Sequence, residues 1–264
     1  MEECIMKSVN IVIPSFRSPA LAYSTIQAYE NFSNGFKFYY TIVENSNDSS
    51  HREILESLND RVTWIQNDVD FSQEKYPASF AVASAFEKGI NENKNGDFIF
   101  FSHNDISPAR SDWLSFFFKR YDDGNRIVSA MRDNSRIKAP HTCALLTDRE
   151  FVTDLSLFPV MVDGEMTHDV GDTISQKCRD LGFGEYVFRN THNDGEVNSL
   201  ISDSDFVNFD VVKSINKNND VIIMHLARGT TKYHGQYRKS GGERLPAWVN
   251  FLKSKLGADL SGLL

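Results

Sequence analysis

The sequence predicts an α/β protein with a mostly parallel sheet and helices on both faces of that sheet. Strands alternate with helices over about the first hundred residues, an order typical of parallel strands joined by crossover helices. Three of the four strands in this region end in a polar cluster: Ser15 to Arg17, Glu44 to Asp48, and His103 to Asp105. Because ligands of such sheets gather at the carboxyl ends of the strands, the three clusters together indicate a binding site.

The elements of the first half each have a local signal. A β-branched run, V-N-I-V-I, predicts a strand over 9–13 that Pro14 closes. Apolar residues at helical spacing predict a helix over 20–32. The further predicted elements are a strand over 36–43, a helix over 52–58, a strand over 62–66, a helix over 78–90 and a strand over 98–101.

The second half is less regular. Its predicted elements are a helix over 113–121, a strand over 127–131, a short apolar run over 143–146, an amphipathic helix over 172–181, and strands over 186–188 and 221–224. Gly182 suits the end of the amphipathic helix because glycine adopts the left-handed conformation of a C-cap. The segment 194–220 is polar, and the sequence predicts a mobile loop or an insertion there.

Composition excludes several classes of protein. The chain has 264 residues, 41% of them hydrophobic and 24% charged, which is typical of a folded domain and not of a disordered or fibrous chain. A formal net charge of −8 disfavours a nucleic-acid partner, since phosphate binding requires positive charge. No apolar run reaches the roughly 20 residues of a membrane helix, and no signal peptide is evident. The three cysteines lack the spacing of a zinc or disulfide framework, so we expect a cytoplasmic protein.

Five segments carry a more specific signal. They are V-N-I-V-I-P-S-F-R from Val9, T-I-V-E-N-S-N-D-S-S from Thr41, G-D-F-I-F-F-S-H-N-D-I-S-P from Gly96, D-V-G-D-T-I-S-Q-K-C-R-D-L-G from Asp169, and V-I-I-M-H-L-A-R-G-T from Val221. In this order they resemble the family 2 glycosyltransferases, whose nucleotide-sugar-binding fold is called GT-A. The likeness spans about Val9 to Gly235. It implies metal-assisted transfer of a sugar from a nucleotide-diphosphate sugar to a hydroxyl acceptor.

The resemblance implies a divalent metal site for Mn²⁺ or Mg²⁺. Asp105 falls on the last acid of the family's Asp-x-Asp motif, and His225 falls on the histidine that ends a late strand. Such an ion neutralises the diphosphate leaving group, and oxygen ligands with an imidazole suit it. His103 stands where the family often has Asp, so it either ligates the metal or faces the sugar or water. The alternative for Asp105 is a turn residue, and for His225 a structural histidine.

The resemblance also implies a nucleotide pocket. Glu44 falls on the position that recognises the base, and a carboxylate accepts the imide N–H of uracil, which favours a UDP-linked donor. Arg17 either meets a phosphate or remains a solvated loop charge. The other residues implied in this pocket are Pro14, Ser15, Phe16 and Asn104.

Asp169 and Asp172 are the candidates for the catalytic base. Because they are three residues apart, they share one face at the start of a helix. Helix N-termini favour carboxylates, so one of the two is expected to act only as a cap. We expect Asp169 to take the proton from the acceptor hydroxyl in a single inverting displacement, with Asp172 as the alternative. His141 and Arg136 lie in the acceptor half, but nothing in the sequence distinguishes them from surface residues.

Two segments near the C-terminus complete the expected organisation. Arg228, Lys232 and His234, together with Gly229 and Gly235, predict either a basic segment that closes over the diphosphate or an ordinary surface loop. We expect a GT-A domain over 1–240, with a nucleotide-binding half (1–105) and an acceptor half (106–240), and an amphipathic helical tail over 241–264. The tail is expected to dock on the domain, on a second copy of the chain, or on the inner face of a membrane that carries a lipid-linked acceptor.

Other functions fit parts of the sequence. The incomplete Asp-x-Asp motif motivates an inactive GT-A protein that binds a nucleotide or a sugar without turnover. A sugar nucleotidyltransferase fits less well, because the first loop lacks the expected glycines. A metal-dependent hydrolase fits least, because no dense cluster of His and Asp ligands is present. The acceptor is expected to be a glycan or a lipid-linked glycan.

Overall fold

The computed structural model describes residues 6–32, 35–46, 52–57, 60–202, 204–207, 209, 211–229 and 244–256. The strands are β1 (Ser8–Ser15), β2 (Lys37–Glu44), β3 (Val62–Gln66), β4 (Phe98–Ser102), β5 (Ile106–Pro108), β6 (Asn125–Ser129), β7 (Ala144–Asp148), β8 (Val160–Val162), β9 (Glu165–His168), β10 (Gly184–Val187), β11 (Arg189–Asn190), β12 (Val212–Ile215) and β13 (Val221–His225). The helices are α1 (Pro19–Asn31), α2 (Arg52–Ser57), α3 (Pro77–Glu92), α4 (Trp113–Asp122), α5 (Arg149–Val152), α6 (Asp172–Asp180), α7 (Val197–Leu200), α8 (Ser204–Val207) and α9 (Arg244–Leu256).

The central sheet has the strand order β10-β6-β7-β4-β1-β2-β3. Strands β4, β1, β2 and β3 are mutually parallel, and β10 is parallel to β6, whereas β7 is antiparallel to both of its neighbours. The register pairs Ser15 of β1 with Glu44 of β2, so the polar clusters that follow these strands meet at one edge. The predicted class, an α/β fold with a mostly parallel mixed sheet, is therefore confirmed.

Helices cover both faces of this sheet because its side chains alternate. Ile11 and Ile13 of β1 are buried in a cluster with residues of α1 and α4, whereas Val12 belongs to the opposite cluster with residues of α3, α5 and α6. Gly89 lets α3 approach closely, since a Cβ at this position would lie 2.5 Å from Cγ1 of Val12. The core thus forms two layers, one on each side of the sheet.

The phenylalanine-rich segments supply much of this core. Phe100 and Phe101 are fully buried on opposite faces of β4. Phe100 packs edge-on against Trp113 and Phe117 of α4, with ring centroids 5.0 and 5.4 Å apart. Each such ring contributes about 1.5–3 kcal/mol by leaving water. These contacts fix β4, and therefore the turn that follows it, against α4.

The segment 194–220, expected to be a mobile loop or an insertion, contributes one strand to a second sheet. Strands β11, β12, β13 and β5 form a four-stranded sheet, and β12 lies within that segment. The sequence V-K-S-I of β12 is short and half polar, so its pattern does not stand out from a loop. Lys213 of β12 is only 2% exposed, and its buried Nζ donates to the carbonyl of Phe206 at 2.9 Å.

The C-terminal helix packs on the rest of the chain. Trp248 and Leu252 of α9 are each 1% exposed and share a cluster with Leu21 and Ala28 of α1. Residues 241–243 and 257–264 of the expected tail lie outside the described residues. Within the described part of the chain, every helix is too short or too polar to cross a membrane.

Candidate active site

Asp105 and His225 meet where the two sheets join. Asp105 follows β4 and is 2% exposed, and His225 ends β13 and is 8% exposed. Antiparallel pairing places His225 opposite Ile106, and the N–H of Leu226 donates to the carbonyl of Asp105 at 3.0 Å. As a result, Nε2 of His225 lies 3.2 Å from Oδ1 of Asp105. The sheet register, and not a flexible loop, holds this pair together.

The segment after β13 folds back onto Asp105. The N–H of Gly229 donates to Oδ2 of Asp105 at 2.8 Å. Ala227 and Arg228 both adopt left-handed backbone conformations, with φ of 60° and 56°, and each costs roughly 1 kcal/mol for a residue with a side chain. Such strain persists only where the surrounding structure enforces it. The remainder of the predicted closing segment, including Lys232, His234 and Gly235, lies outside the described residues.

Burial and charge set the protonation of this pair. Burial alone would raise the pKa of Asp105, but the charge and hydrogen bonding of His225 hold it well below its ordinary value. Burial alone would lower the pKa of His225, but Asp105 and the Cys143 thiol raise it to about 10. The pair is therefore an imidazolium–carboxylate contact at neutral pH when no other cation is present.

His103 completes a set of three side chains that fits a divalent metal. One ligand atom from each of His103, Asp105 and His225 lies within 4.8 Å of the others. Both ring nitrogens of His225 are buried without a well-aligned hydrogen bond, although Nε2 contacts Asp105. Buried polar atoms rarely remain unsatisfied, and a carboxylate with two imidazoles is a suitable donor set for a transition metal. The three predicted metal ligands are thus brought together.

Two neighbours surround this set. The ring of His141 lies 5.6 Å from that of His103, and its Nδ1 accepts the N–H of Cys143 at 3.0 Å. Burial lowers the pKa of His103 to about 3, and the charge of His141 acts in the same direction. Although burial opposes ionisation of Cys143, His141 and His225 lower the pKa of its thiol to about 6. No sequence pattern places Cys143 here, since a lone cysteine has no spacing signature.

The predicted nucleotide residues form a network at the ends of β1 and β2. Oε1 of Glu44 accepts the N–H of Arg17 at 3.0 Å, and both the N–H and the hydroxyl of Ser46, at 3.1 and 2.6 Å. Glu44 is 2% exposed and Ser15 is equally buried. The carboxylate therefore ties the loop after β1 to the loop after β2. Asn47 and Asp48 lie outside the described residues.

The other members of this group differ in exposure. Pro14 is buried in β1, and Nδ2 of Asn104 donates to the hydroxyl of Ser18 at 2.8 Å, which joins the loop after β1 to the turn after β4. Phe16 is 45% exposed, and the Arg17 guanidinium lies 5.5 Å from its ring. Phe16 and Arg17 thus face solvent at the strand ends, whereas Asn104 has a structural contact.

Asp169 and Asp172 lie together, and Arg136 contacts both. Nη2 of Arg136 is 3.0 Å from Oδ2 of Asp169, and its Nε is 3.5 Å from Oδ2 of Asp172. The same guanidinium pairs with Asp133. Asp172 is 5% exposed and accepts the N–H of Asp169 at 2.7 Å, whereas the Asp169 side chain is 28% exposed. Burial raises the pKa of Asp172, against the effects of that N–H and of Arg136.

The start of α6 has an unusual cap. Gly171, not Asp172, is the N-cap residue, and Asp172 is the first residue of the helix. Gly171 has a φ of 74°, and a Cβ there would lie 2.4 Å from Cγ2 of Thr142. Only glycine fits this position without displacing Thr142. The close contact holds the two candidate bases against the 141–143 segment.

A cavity of about 170 Å³ connects these groups. Among the residues that line it are Ser79, His103, Asp133, His141, Asp169 and Asp172. The cavity thus places the candidate bases beside one member of the metal-binding set. Sequence reasoning missed Asp133 and could not assign Arg136 or His141, because their contacts join segments that are far apart in the chain.

Comparisons with known proteins find matches among solved structures alone. No protein-family model and no curated protein matches the chain. One matching crystal structure is the glucosyl-3-phosphoglycerate synthase of Mycobacterium tuberculosis in complex with Mn²⁺, uridine diphosphate and phosphoglyceric acid, at 13% identity over 69% of this chain and 68% of that chain, with a TM-score of 0.47. Its complex with Mn²⁺ and uridine-diphosphate-glucose matches at 13% identity, over 69% of each chain, with a TM-score of 0.44.

Both matches have a TM-score below 0.5 and an identity of 13%, so neither supports an assignment of family or function. The chain itself has a mixed α/β architecture with a mostly parallel central sheet.

Proposed function

We propose that this chain is a GT-A glycosyltransferase that transfers a sugar from a nucleotide-diphosphate sugar, UDP-linked, to a hydroxyl acceptor. One observation carries the proposal: the buried pair of Asp105 and His225 lies at the strand ends, and a cavity connects its neighbour His103 to the carboxylates of Asp169 and Asp172. The five sequence segments that resemble the family support it, because they supply these residues in the expected order.

Asp105 and His225 would hold Mn²⁺ or Mg²⁺ in this enzyme. The ion would neutralise charge on the diphosphate leaving group. The amide of Gly229 orients Asp105 through Oδ2, while Oδ1 faces His225. Both carboxylate oxygens are thus positioned before any donor arrives, which limits reorganisation during the reaction.

Asp169 is the proposed base. Its side chain is the more exposed of the two candidates and lies at the cavity, so an acceptor hydroxyl can reach it. Asp172 is buried and binds the backbone of Asp169, which suits a positioning residue. Asp169 would take the proton of the acceptor hydroxyl as that oxygen attacks the sugar carbon and the bond to the diphosphate breaks. A single displacement of this kind inverts the configuration of the sugar.

The loops after β1 and β2 would bind the nucleotide. All three described hydrogen bonds of the Glu44 carboxylate end on Oε1. Oε2 would therefore accept the imide N–H of uracil. The exposed ring of Phe16 would stack on the base, and Arg17 beside it would meet a phosphate. Pro14, Ser15 and Asn104 would form the floor of this pocket. The acceptor is proposed to be a glycan or a lipid-linked glycan.

Thermal melts test the donor site. We expect UDP with Mn²⁺ to raise the melting temperature, and GDP, dTDP and CMP to have smaller effects. A ligand at 100 times its Kd adds about 2.7 kcal/mol to the free energy of unfolding, and each kcal/mol is worth about 2–4 °C for a chain of this size. Asp105→Ala should abolish the shift, and Asp154→Ala, at an exposed aspartate, should retain it. No shift with any nucleotide would exclude the proposed donor site.

A second candidate function has a specific observation in its favour. Arg136 pairs with both candidate bases, and such ion pairs would also suit an inactive protein that binds a nucleotide sugar. Hydrolysis or transfer of UDP-sugars, followed by release of UDP, distinguishes the two functions. Binding without turnover across a panel of UDP-sugars and sugar acceptors would favour the inactive protein.

A further inference from the structure

We infer that His103 is a third protein ligand of the metal, and that the resulting set of two imidazoles and one carboxylate selects a transition-metal ion such as Mn²⁺ or Co²⁺ over Mg²⁺. This inference rests on the proposed function only for the role that the ion would have in sugar transfer. The site itself is argued from three described side chains.

The backbone fixes His103 next to the other two ligands. Its N–H donates to the carbonyl of Cys143 at 2.9 Å, and the Ser102 hydroxyl donates to its carbonyl at 2.9 Å. The ring of His103 lies 5.7 Å from the ring of His225, centroid to centroid. The backbone of His103 is thus held by Ser102 at the end of β4 and by Cys143, the residue before β7.

The separations suit a single ion. The three ligand atoms lie within 4.8 Å of one another. Two ligands on opposite sides of one ion are about 4 Å apart, because each metal–ligand bond is about 2.1 Å long. The separations of up to 4.8 Å exceed this span by less than about 1 Å.

The unsatisfied nitrogens of His225 point independently to a bound cation. The residue is 8% exposed, and neither Nδ1 nor Nε2 has a well-aligned hydrogen bond. A histidine that served only the fold would be expected to have a well-aligned hydrogen bond on at least one of these nitrogens, whereas the neighbours of this ring are Asp105, 3.2 Å from Nε2, and the Cys143 thiol. An ion on Nε2 would satisfy the nitrogen that already faces Asp105.

The donor atoms decide which ion is preferred. Mg²⁺ is a hard ion that prefers oxygen ligands and retains its waters, whereas imidazole suits the later divalent metals. An aspartate at position 103 would offer an anionic oxygen, and His103 offers a neutral nitrogen instead. This exchange removes one negative charge and one hard ligand, and both changes weaken Mg²⁺ binding more than Mn²⁺ or Co²⁺ binding.

Electron paramagnetic resonance of bound Mn²⁺ tests the inference directly. The full chain is stripped with EDTA and titrated with Mn²⁺ alone, then with Mn²⁺ and UDP, and Mg²⁺ is added as the competitor. We expect spin-echo modulation from two imidazole nitrogens. His103→Asp should lose one of them and should improve competition by Mg²⁺ about tenfold or more. His141→Ala, at the neighbouring ring that does not belong to the set, should keep both nitrogens.

The outcomes separate this inference from the proposed function. A wild-type spectrum with one nitrogen, no bound Mn²⁺ at all, or equal affinity for Mn²⁺ and Mg²⁺ would overturn the inference. The wild-type nitrogen count needs no variant, so misfolding of His103→Asp would not obscure it. Modulation from two imidazole nitrogens, with no effect of UDP on the melting temperature, would support the inference and contradict the proposed glycosyltransferase. Modulation from one nitrogen, with a rise in melting temperature on addition of UDP, would contradict the inference and support the glycosyltransferase.

Discussion

The amide of Gly229 donates a 2.8 Å hydrogen bond to Oδ2 of Asp105, although 124 residues separate them in the chain. A Cβ at Gly229 would lie 2.5 Å from Cβ of Asp105, which is closer than two non-bonded carbon atoms approach each other in proteins. The segment after β13 therefore requires glycine at this position to keep Asp105 in place.

Gly229→Ala should consequently damage the site more than the fold. We expect the added methyl to displace Asp105 and to weaken Mn²⁺ binding by about tenfold or more, as loss of a ligand's supporting contacts does elsewhere. Calorimetric titration of Mn²⁺ measures the effect. Gly195→Ala is the matched control, since a Cβ at Gly195 meets no atom within 4 Å. Equal Mn²⁺ affinity in both variants would show that the contact with Asp105 does not matter.

Asp169→Asn and Asp172→Asn should have different consequences. We expect Asp169→Asn to lower turnover by about 10²- to 10⁴-fold, the usual contribution of a general base, with UDP binding unchanged. Asp172→Asn should lower turnover less, because an asparagine oxygen can still accept the N–H of Asp169. Initial rates with a UDP-sugar and its acceptor check both. Near-full turnover in both variants would exclude this pair of carboxylates as the source of the base.

The stability of the metal-free protein should depend on pH through His225. The pKa of this histidine is about 10 in the folded chain against an ordinary value of 6.5, because Asp105 and Cys143 outweigh burial. Because this pKa is higher in the folded than in the unfolded chain, protonation of His225 stabilises the folded chain. The stabilisation is complete below pH 6.5 and is lost as the pH rises through about 10. Denaturant unfolding in EDTA at several pH values measures this loss.

The difference between wild type and His225→Gln isolates that contribution from other titrating groups. We expect the difference in unfolding free energy to shrink between pH 6.5 and about 10. His192→Gln, at an exposed histidine, should follow the wild type. A difference that stays constant with pH would mean that the contact with Asp105 does not hold the proton on His225.

Trp248 should be a core residue of the folded chain. The side chain is 1% exposed and its ring stacks 6.2 Å from that of Phe209. Trp248→Ala should lower the free energy of unfolding by about 3–5 kcal/mol, as loss of a buried tryptophan does. Lys253→Ala, on the exposed side of the same helix, is the control. A loss below about 1 kcal/mol would mean that α9 is not anchored on α1 in solution.

The sequence predicted much of the central sheet and part of the candidate site for a physical reason. Strands β1, β2 and β4 are apolar runs that end in polar clusters, and parallel strands bring such ends to one edge. This rule places Asp105 and His103 at the candidate site, and the resemblance to a family implies their role as metal ligands. His225 required the resemblance to a family, since β13 belongs to a different sheet.

The ion pairs of Arg136 and the second sheet could not be predicted from the sequence, for a different reason. Arg136 and Asp169 are 33 residues apart, and an ion pair at that separation leaves no periodic signal. Strand β12 gains its stability from pairing with β13, not from its own short pattern. Tertiary contacts, which no local window contains, determine both features.

The pairing of β13 with β5 also makes the site sensitive to changes that touch none of its residues. Side chains alternate along a strand, so a slip of one position would place Met224 opposite Ile106 and turn His225 to the other side. The turn between β12 and β13, residues 216–220, sets the alignment of β13 against β12. We expect one residue inserted or deleted there to shift His225 relative to Asp105 and to weaken the proposed metal site, although Asp105, His103 and His225 themselves stay unchanged.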